Sequence, residues 1–232
     1  STGAAGQITM RGIGGSPTTG VLILIDGHPQ FQGIFGHPLA DSYVASDADR
    51  VEVIRGPASI LYGSNAMGGV INIITRKQLQ DGFHANARLM YGSYHTQKYM
   101  ANFGYVRKGF SVFASVNHDQ TDGHRPESDF KITNGYLKLG YAINPHLRAG
   151  ADFSIAGFQA TDPGPDTSNA VAGNSIDIIR GYWSLSFDNE YDRYSGTAKF
   201  FYNFGEHDIT DGFHSRDANY GFNAFEALNL FA

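Results

Sequence analysis

The sequence predicts a protein dominated by β-structure, in which a compact α+β domain precedes the antiparallel, up-and-down strands of a transmembrane β-barrel. Three observations predict this fold. The first 80 residues are rich in glycine and carry short apolar runs, later segments alternate apolar with polar residues, and short and long links alternate between those segments. We therefore divide the chain into domains at residues 1–80 and 81–232.

The composition excludes several classes of protein. The chain of 232 residues has a net charge of -5, and its 17 Lys and Arg residues are scattered, so we expect no nucleic-acid partner. It has no cysteine, which excludes disulfides and thiolate metal sites. The longest apolar run, Val21–Ile25, is far shorter than the ~20 residues of a membrane helix. We expect no signal peptide in residues 1–10, which lack a basic head and an apolar run.

The first domain is expected to mix strands with short helices. The run VLILI has no polar alternation, which predicts a strand buried on both faces. The expected strands are at residues 8–12, 21–26, 51–55 and 70–76, with a polar loop at 27–38, a short helix at 39–46 and a helical turn at 58–62.

After about residue 82, roughly eight segments alternate between two faces. Tyr and Phe gather towards the ends of these segments, as in the aromatic girdles of membrane barrels, and the polar face suits a wet lumen. A soluble antiparallel sandwich also alternates. Predicted strand lengths of about 10–13 residues favour the membrane barrel, because globular strands average 5–6 residues.

The links between these segments support the same architecture. Tight turns are expected at residues 107–109 and 144–145, with a short link at 188–193. Long polar links are expected at 118–131, 159–175 and 205–217. The link at 92–96 is short where a long outer loop is expected, so it breaks the alternation.

A glycine-rich stretch lies between two β-branched runs at residues 51–77. It lacks the Lys-Ser/Thr pair of a phosphate loop and leads into a strand, so nucleotide binding is not expected. Its segments VEVIRGP (51–57) and LYGSNAMGGVINIIT (61–75) closely resemble the plug-domain signature of TonB-dependent outer-membrane receptors. The earlier segments MRG (10–12) and VLILIDG (21–27) extend the resemblance in the same order and spacing.

The resemblance implies a 22-stranded barrel closed by an N-terminal plug. This chain would supply the C-terminal part of the plug and about eight of the 22 strands, without an identifiable TonB box. The implied protein lies in the bacterial outer membrane, is not an enzyme, holds no cofactor and imports a scarce nutrient with energy from the TonB–ExbB–ExbD complex. We expect an iron chelate, either a ferric siderophore or haem. Uptake of cobalamin or a glycan, or a surface binding module or adhesin, are the alternatives. Outer-membrane lipid is an implied partner, and a surface lipoprotein is a further candidate.

The resemblance also implies where ligand binds, in apical loops at residues 14–19 and 28–38. Imidazoles can ligate haem iron and phenyl rings can stack on a macrocycle, so His28 and His37 are candidate haem contacts. Both precede proline, so a merely rigid loop is the alternative. The candidate ligand-binding residues are Ser16, Thr18, His28, Gln30, Phe31, Gln32, Phe35 and His37.

Two further residues are candidates for a plug latch. Glu52 and Arg55 resemble plug positions that make ion pairs with each other or with the barrel wall. Simple satisfaction of a buried charge is the alternative. We identify no catalytic residue and no resident metal site, because nothing in the sequence resembles a Ser-His-Asp site, a paired-carboxylate hydrolase or an HExxH motif.

Overall fold

The computed structural model describes residues 8–15, 19–30, 48–62, 64–78, 80–163, 174–210 and 212–228. These residues form a two-stranded sheet, a four-stranded mixed sheet and an eight-stranded antiparallel sheet. The two-stranded sheet pairs β1 (Ile8–Met10) with β2 (Ile13–Gly15). Among the described residues, no helix is long and apolar enough to cross a membrane.

The four-stranded sheet, called the plug sheet below, is built around a fully buried strand. Its order is β4 (His28–Gln30), β3 (Val21–Ile25), β6 (Gly69–Thr75) and β5 (Ala48–Arg55). The strands β3 and β6 are parallel, and the other pairs are antiparallel. The first four residues of β3 are each at most 2% exposed, which confirms the burial predicted from its unbroken apolar run.

A tight turn at Asp26 and Gly27 joins β3 to β4. Both residues have positive φ, 47° and 79°, as a two-residue type I′ hairpin requires. The turn folds His28 back to pair with Ile25, so the predicted loop at residues 27–38 is wrong at its start, where β4 lies. Residues 31–38, and the helix predicted at 39–46, lie outside the described residues.

The link between β5 and β6 packs beneath the plug sheet. It contains α1 (Ser59–Tyr62), which confirms the predicted helical turn, and a 3-10 turn at Ser64–Ala66. Gly69 then begins β6 with φ 148°, and a side chain there would collide with the carbonyl of Ile54 and the sulfur of Met10. The buried residues of this region are Leu22, Leu24, Ala58, Ala66 and Val70.

The eight-stranded sheet, called the wall below, is the predicted up-and-down meander. Each strand pairs antiparallel with its neighbours in chain order, and β7 and β14 are the two edges. The predicted division at residues 80 and 81 stays a prediction; the plug sheet ends at Thr75 and the wall begins at Gly82. The strands are β7 (Gly82–Tyr91), β8 (Gln97–Arg107), β9 (Phe110–Thr121), β10 (Phe130–Asn144), β11 (Leu147–Asp162), β12 (Asn174–Glu190), β13 (Tyr194–Ile209) and β14 (Phe213–Leu228).

The links of the wall follow the predicted order of short and long except at one place. The long links, at residues 122–129 and 163–173, are shorter than the predicted 118–131 and 159–175, because the strands beside them extend further. One end has the short links 108–109, 145–146 and 191–193, as expected. The long link predicted at 205–217 is wrong, because β13 and β14 continue until only residues 210–212 separate them. Oppositely charged residues meet across these strands, as in Glu206 opposite Arg216, and such pairs stabilise a sheet outside lipid.

The outer face of the wall carries an apolar band, and the inner face also buries one apolar cluster, formed by Ile132, Phe158, Ala160, Ile176 and Ile178. On β11 every outward residue from Leu147 to Gly157 is apolar or glycine, and the next is Gln159. Ten residue steps tilted by about 40° span about 25 Å, the height of the apolar band of a membrane barrel. In this region the apolar side chains are exposed and the polar side chains are buried, the reverse of a sheet in a globular protein. Leu185 is 47% exposed, whereas the polar side chains of Asp152 and Ser184 are buried.

Candidate functional site

The plug sheet lies against the polar face of the wall, and two clusters of side chains hold the contact. The first surrounds the turn at Asp26, and the second surrounds His28 on β4. Both clusters use side chains that point inward from the middle of wall strands, polar in the first cluster and partly aromatic in the second. The contact between plug sheet and wall is therefore the candidate functional site in the described part of the chain.

The carboxylate of Asp26 is held by donors from both sheets. Its Oδ1 accepts a hydrogen bond from the backbone N–H of Thr75 at 3.0 Å. Its Oδ2 accepts from Lys138 Nζ at 2.8 Å and from Thr75 Oγ1 at 2.5 Å. The Tyr136 hydroxyl lies 2.6 Å from Thr75 Oγ1. Lys199 Nζ completes the cluster by donating to the carbonyl oxygen of Asp26 at 2.9 Å.

The charges of this cluster balance. Burial by itself raises the pKa of Asp26, but the charge of Lys138 and the hydrogen bonds from Lys138 and Thr75 outweigh burial and hold that pKa below 3.8. A second carboxylate, Asp152 on β11, accepts a hydrogen bond from Ser184 at 3.0 Å and lies 3.8 Å from Lys199 Nζ. Two lysines therefore face two carboxylates, one from the plug sheet and one from the wall.

The second cluster encloses the ring of His28. The ring packs edge-on against Tyr182 at a centroid distance of 4.4 Å and stacks on Phe201 at 5.0 Å. Its Nε2 lies 3.1 Å from Asn203 Oδ1, and the side chain of Gln30 also contacts Nε2. His28 is 1% exposed, so β4 is sealed against β12 and β13.

The hydrogen bonds of Asn203 fix the orientation of its amide group beside His28. The Asn203 Nδ2 group donates to the carbonyl of Pro29 at 3.0 Å and to Asn219 Oδ1 at 2.9 Å. The Oδ1 atom of Asn203 therefore faces His28 Nε2 as an acceptor, whereas the amide nitrogen of Gln30, which contacts the same ring atom, is a donor. Burial chiefly, with the charge of Lys199, lowers the pKa of His28 to about 4, so the ring is neutral at pH 7.

The location predicted for His28 and Gln30 is wrong. The sequence analysis expected both in an exposed apical loop, but both are buried on β4, because the type I′ turn pairs them with β3 and turns them towards the wall. Because His28 is 1% exposed, haem has no access to its ring in the described arrangement. The other candidate ligand residues, Ser16, Thr18, Phe31, Gln32, Phe35 and His37, lie outside the described residues.

The structure does not bring Glu52 and Arg55 together as a latch. They are three positions apart on β5, so their side chains point to opposite faces of the strand. Glu52 instead accepts from Arg50 Nε at 2.9 Å and from Asn72 at 3.3 Å. Both are exposed in the described part of the chain, and the alternative of a satisfied buried charge stays a prediction. An ion pair of either residue with a barrel wall stays a prediction.

The residues that hold the contact escaped the sequence analysis. Lys138 and Lys199 follow Asp26 by 112 and 173 residues, so no short-range spacing rule joins them. The available signal was a charged residue in the middle of an alternating strand, on the face opposite the apolar residues. Within the described part of the chain, no group of three His, Cys, Asp or Glu residues could hold a metal ion.

Comparison with known proteins agrees with this architecture. Residues 1–70 match the family model of the TonB-dependent receptor plug domain. The siderophore receptor PirA from Pseudomonas aeruginosa has the same fold, with a TM-score of 0.70 and 21% identity over 98% of this chain and 40% of that one. The chain thus spans two-fifths of the length of that structure.

Two further solved structures share the fold. The outer-membrane ferripyoverdine receptor of Pseudomonas aeruginosa, bound to ferripyoverdine, gives a TM-score of 0.68 and 14% identity over 83% of this chain and 28% of that one. The copper transporter OprC gives a TM-score of 0.61 and 16% identity over 96% of this chain and 48% of that one. At these identities the likeness is one of fold.

Proposed function

We propose that this chain, the plug domain and part of the barrel wall of a TonB-dependent outer-membrane receptor, belongs to an active transporter that imports an iron chelate. The receptor lies in the bacterial outer membrane and is a transporter rather than an enzyme. The observation that carries the proposal is the seating of the plug sheet on the polar face of a lipid-facing wall by Asp26 and His28. A pore closed in this way admits cargo only when the plug moves.

Movement of the plug requires energy from outside the receptor. Opening the contact separates Asp26 from Lys138 and breaks the hydrogen bonds to the Asp26 carboxylate, and each hydrogen bond to a charged group contributes about 1.5–3 kcal/mol. Thermal motion alone would open such a contact rarely. We therefore assign the work of opening to the TonB–ExbB–ExbD complex, acting on a segment outside the described residues.

An iron chelate is the cargo that the comparisons support. PirA is a siderophore receptor, and another structure of the same fold binds ferripyoverdine. OprC transports copper on this fold, so the fold by itself does not choose the cargo. We propose that the ligand contacts Ser16, Thr18, Phe31, Gln32, Phe35 and His37. For haem as the cargo, His37 remains a candidate contact, and His28 does not. A surface lipoprotein remains a proposed accessory partner.

Uptake of radioactive iron tests the proposal. Cells expressing the full-length receptor are given ⁵⁵Fe as ferric siderophores of several classes or as haem, with cobalamin and glycans as competitors, in tonB⁺ and tonB⁻ backgrounds. Saturable uptake of an iron chelate that requires TonB supports the proposal. Uptake of cobalamin or a glycan instead would overturn the iron assignment, and binding without energised uptake would indicate a surface binding module.

A titration of the purified full-length receptor with haem separates haem from siderophores. A saturable shift of the Soret band, lost in His37→Ala and retained in His28→Ala, would identify haem as the ligand and His37 as its contact. Absence of a shift would remove haem and leave the siderophores.

A further inference from the structure

The wall residues around Asp26 form an anion-binding site, and the anion that fills this site is the Asp26 carboxylate of the same chain. On the wall, Tyr136 and Lys138 lie on β10 and Lys199 lies on β13, and all three side chains converge on the Asp26 turn. We call these three wall residues the anion seat. Their donors come from the wall, so they stay in place when the plug sheet moves, whereas Asp26 and Thr75 leave with it.

When Asp26 leaves the wall, the positive charges of Lys138 and Lys199 lose one of the two carboxylates that balance them. With Asp26 in place, Lys138 and Lys199 are balanced by Asp26 and Asp152. Without Asp26, the two ammonium groups share the single carboxylate of Asp152, which faces Lys138 across β10 and β11 and lies 3.8 Å from Lys199 Nζ. The vacated wall then carries one positive charge that no carboxylate of the cluster compensates.

The surroundings of the seat leave room for a ligand. A cavity of about 580 Å³ lies between the Asp26 turn and the wall. It is lined by Lys138, Lys199 and Asp152 and by further polar side chains on the same inward face, including Arg148 and Ser186. A cavity of this size accommodates a small chelate or one arm of a larger one.

We propose that the anion seat binds a carboxylate-type oxygen of the cargo during its passage, and that Asp26 fills the seat while the plug is closed. The inference rests on the proposed function and deepens it by naming the substrate class, which is a chelate with a free anionic oxygen. Asp26 thereby prevents the seat from holding anions at rest. The cargo takes the place of Asp26 on the wall when the plug turn withdraws.

A cysteine reporter can detect occupancy of the seat. The described chain has no native cysteine, and Ser186 lines the cavity directly opposite Lys199 on the neighbouring strand. Ser186→Cys in the full-length receptor is labelled with methyl methanethiosulfonate, which is neutral and is not itself attracted or repelled by the seat. Because the reacting thiolate responds to nearby charge, the rate of each variant is compared only with its own rate without the probe. Acetate serves as the anionic probe, and an equal concentration of neutral acetamide serves as its control.

Asp26→Asn and Asp152→Asn each remove one negative charge, but acetate is expected to slow labelling only in the first. In Asp26→Asn the seat is vacated, and Asn-Gly keeps the type I′ turn, so the fold is preserved. Acetate should then slow labelling at least about threefold. In Asp152→Asn the seat stays filled by Asp26, so acetate should have no effect, as in the parent reporter. Adding Lys138→Met to Asp26→Asn should abolish protection.

The inference is overturned if acetate protects Asp26→Asn and Asp152→Asn equally, or protects neither. Resistance of the plug to trypsin verifies folding, and Asp26→Gly, which also suits the turn, replaces Asp26→Asn if that variant is digested. The uptake assay on the unmodified receptor separates this inference from the proposed function. TonB-dependent import of iron without acetate protection would refute the seat alone, whereas failed import would refute the function.

Discussion

At the scale of single residues, Asp26 and His28 hold the same contact by different physics. Asp26 contributes an ionised carboxylate that accepts from three donors, and His28 contributes a neutral ring enclosed by two aromatic side chains. The first depends on complementary charge, while the second depends on burial. Their responses to mutation and to pH should therefore differ.

A double-mutant cycle should detect the coupling of Asp26 with Lys138. Each single change, Asp26→Ala or Lys138→Met, should weaken seating of the plug by about 3–5 kcal/mol, because each leaves one buried charge without its partner. The double variant should lose much less than the sum of the two. Urea-dependent exposure of a thiol reporter on the plug measures the seating free energy. Additive losses would contradict direct coupling.

Asp49→Ala, which alters an exposed pair with Arg50, is the control and should have no measurable effect.

Acidification should weaken the seating of the plug through His28. Its pKa is about 4 when seated and 6.5 ordinarily, so the released plug binds more protons between these values. Stability should therefore fall as pH drops from about 7 to about 4, by up to about 3 kcal/mol. Asp26, whose pKa is held below 3.8, should lose its contribution only below that range.

Urea titrations at pH 7, 5.5 and 4.5 would measure this dependence on pH. His28→Gln should flatten the slope between pH 7 and 4.5, whereas His146→Gln, at an exposed turn, should leave it unchanged. The charged groups nearest His28 are Lys199, which opposes protonation, and Asp26, which favours it. An unchanged slope in His28→Gln would assign the dependence on pH to another group.

At the scale of the elements, the wall strands are defined by two opposite faces. Leu185 and Ser184 are neighbours on β12, yet the apolar side chain is exposed and the polar one is buried. Leu185→Arg, within the apolar band, should destabilise the full-length receptor in lipid vesicles by about 2–4 kcal/mol. Asp177→Arg, outward on the same strand but beyond the band, should cost about 0–1 kcal/mol. Chemical unfolding in vesicles measures both, and equal costs would contradict the assigned membrane boundary.

Substitutions at two glycines of the plug distinguish the cost of backbone strain from the cost of side-chain crowding. Gly15 and Gly69 have nearly equal φ, 147° and 148°, but a side chain at Gly15 meets none of the described residues within 4 Å, whereas one at Gly69 meets Ile54 and Met10. Gly15→Ala should cost about 1–3 kcal/mol from strain alone. Gly69→Ala should cost clearly more, because β6 must also move away from β5. Thermal unfolding followed by protease resistance of the plug would compare them, and equal losses would show that crowding is relieved at no cost.

At the scale of the whole molecule, the wall is an open sheet in the described residues, with β7 and β14 at its edges. Exposed edges template association with other strands. We predict that the 232-residue chain, refolded alone in detergent, associates into oligomers, whereas the full-length receptor remains discrete. Light scattering coupled to size exclusion would measure both. A stable monomer of the short chain would indicate that its edges are closed or covered.

The alternation of side chains predicted much of this architecture because period-2 patterning is local. It located the wall strands and their tight turns, and the unbroken run at β3 predicted a buried strand. The pattern overestimated the length of the link at residues 205–217. The polar residues there end the apolar band, but the strands β13 and β14 continue beyond it. The site was predicted poorly, since His28 was assigned by composition to a loop, and its burial depends on Tyr182 and Phe201, more than 150 residues away in the chain.

The sequence by itself determined the β-rich class, the order of a plug-like domain before barrel strands, and the resemblance to TonB-dependent receptors, because these depend on local periodicity and on one contiguous motif. Only the tertiary structure decided which polar groups meet. Asp26 finds Lys138 and Lys199, and His28 finds Asn203, across 112 to 175 residues of chain. Such contacts depend on how the plug sheet is placed on the wall, and no local pattern encodes that placement.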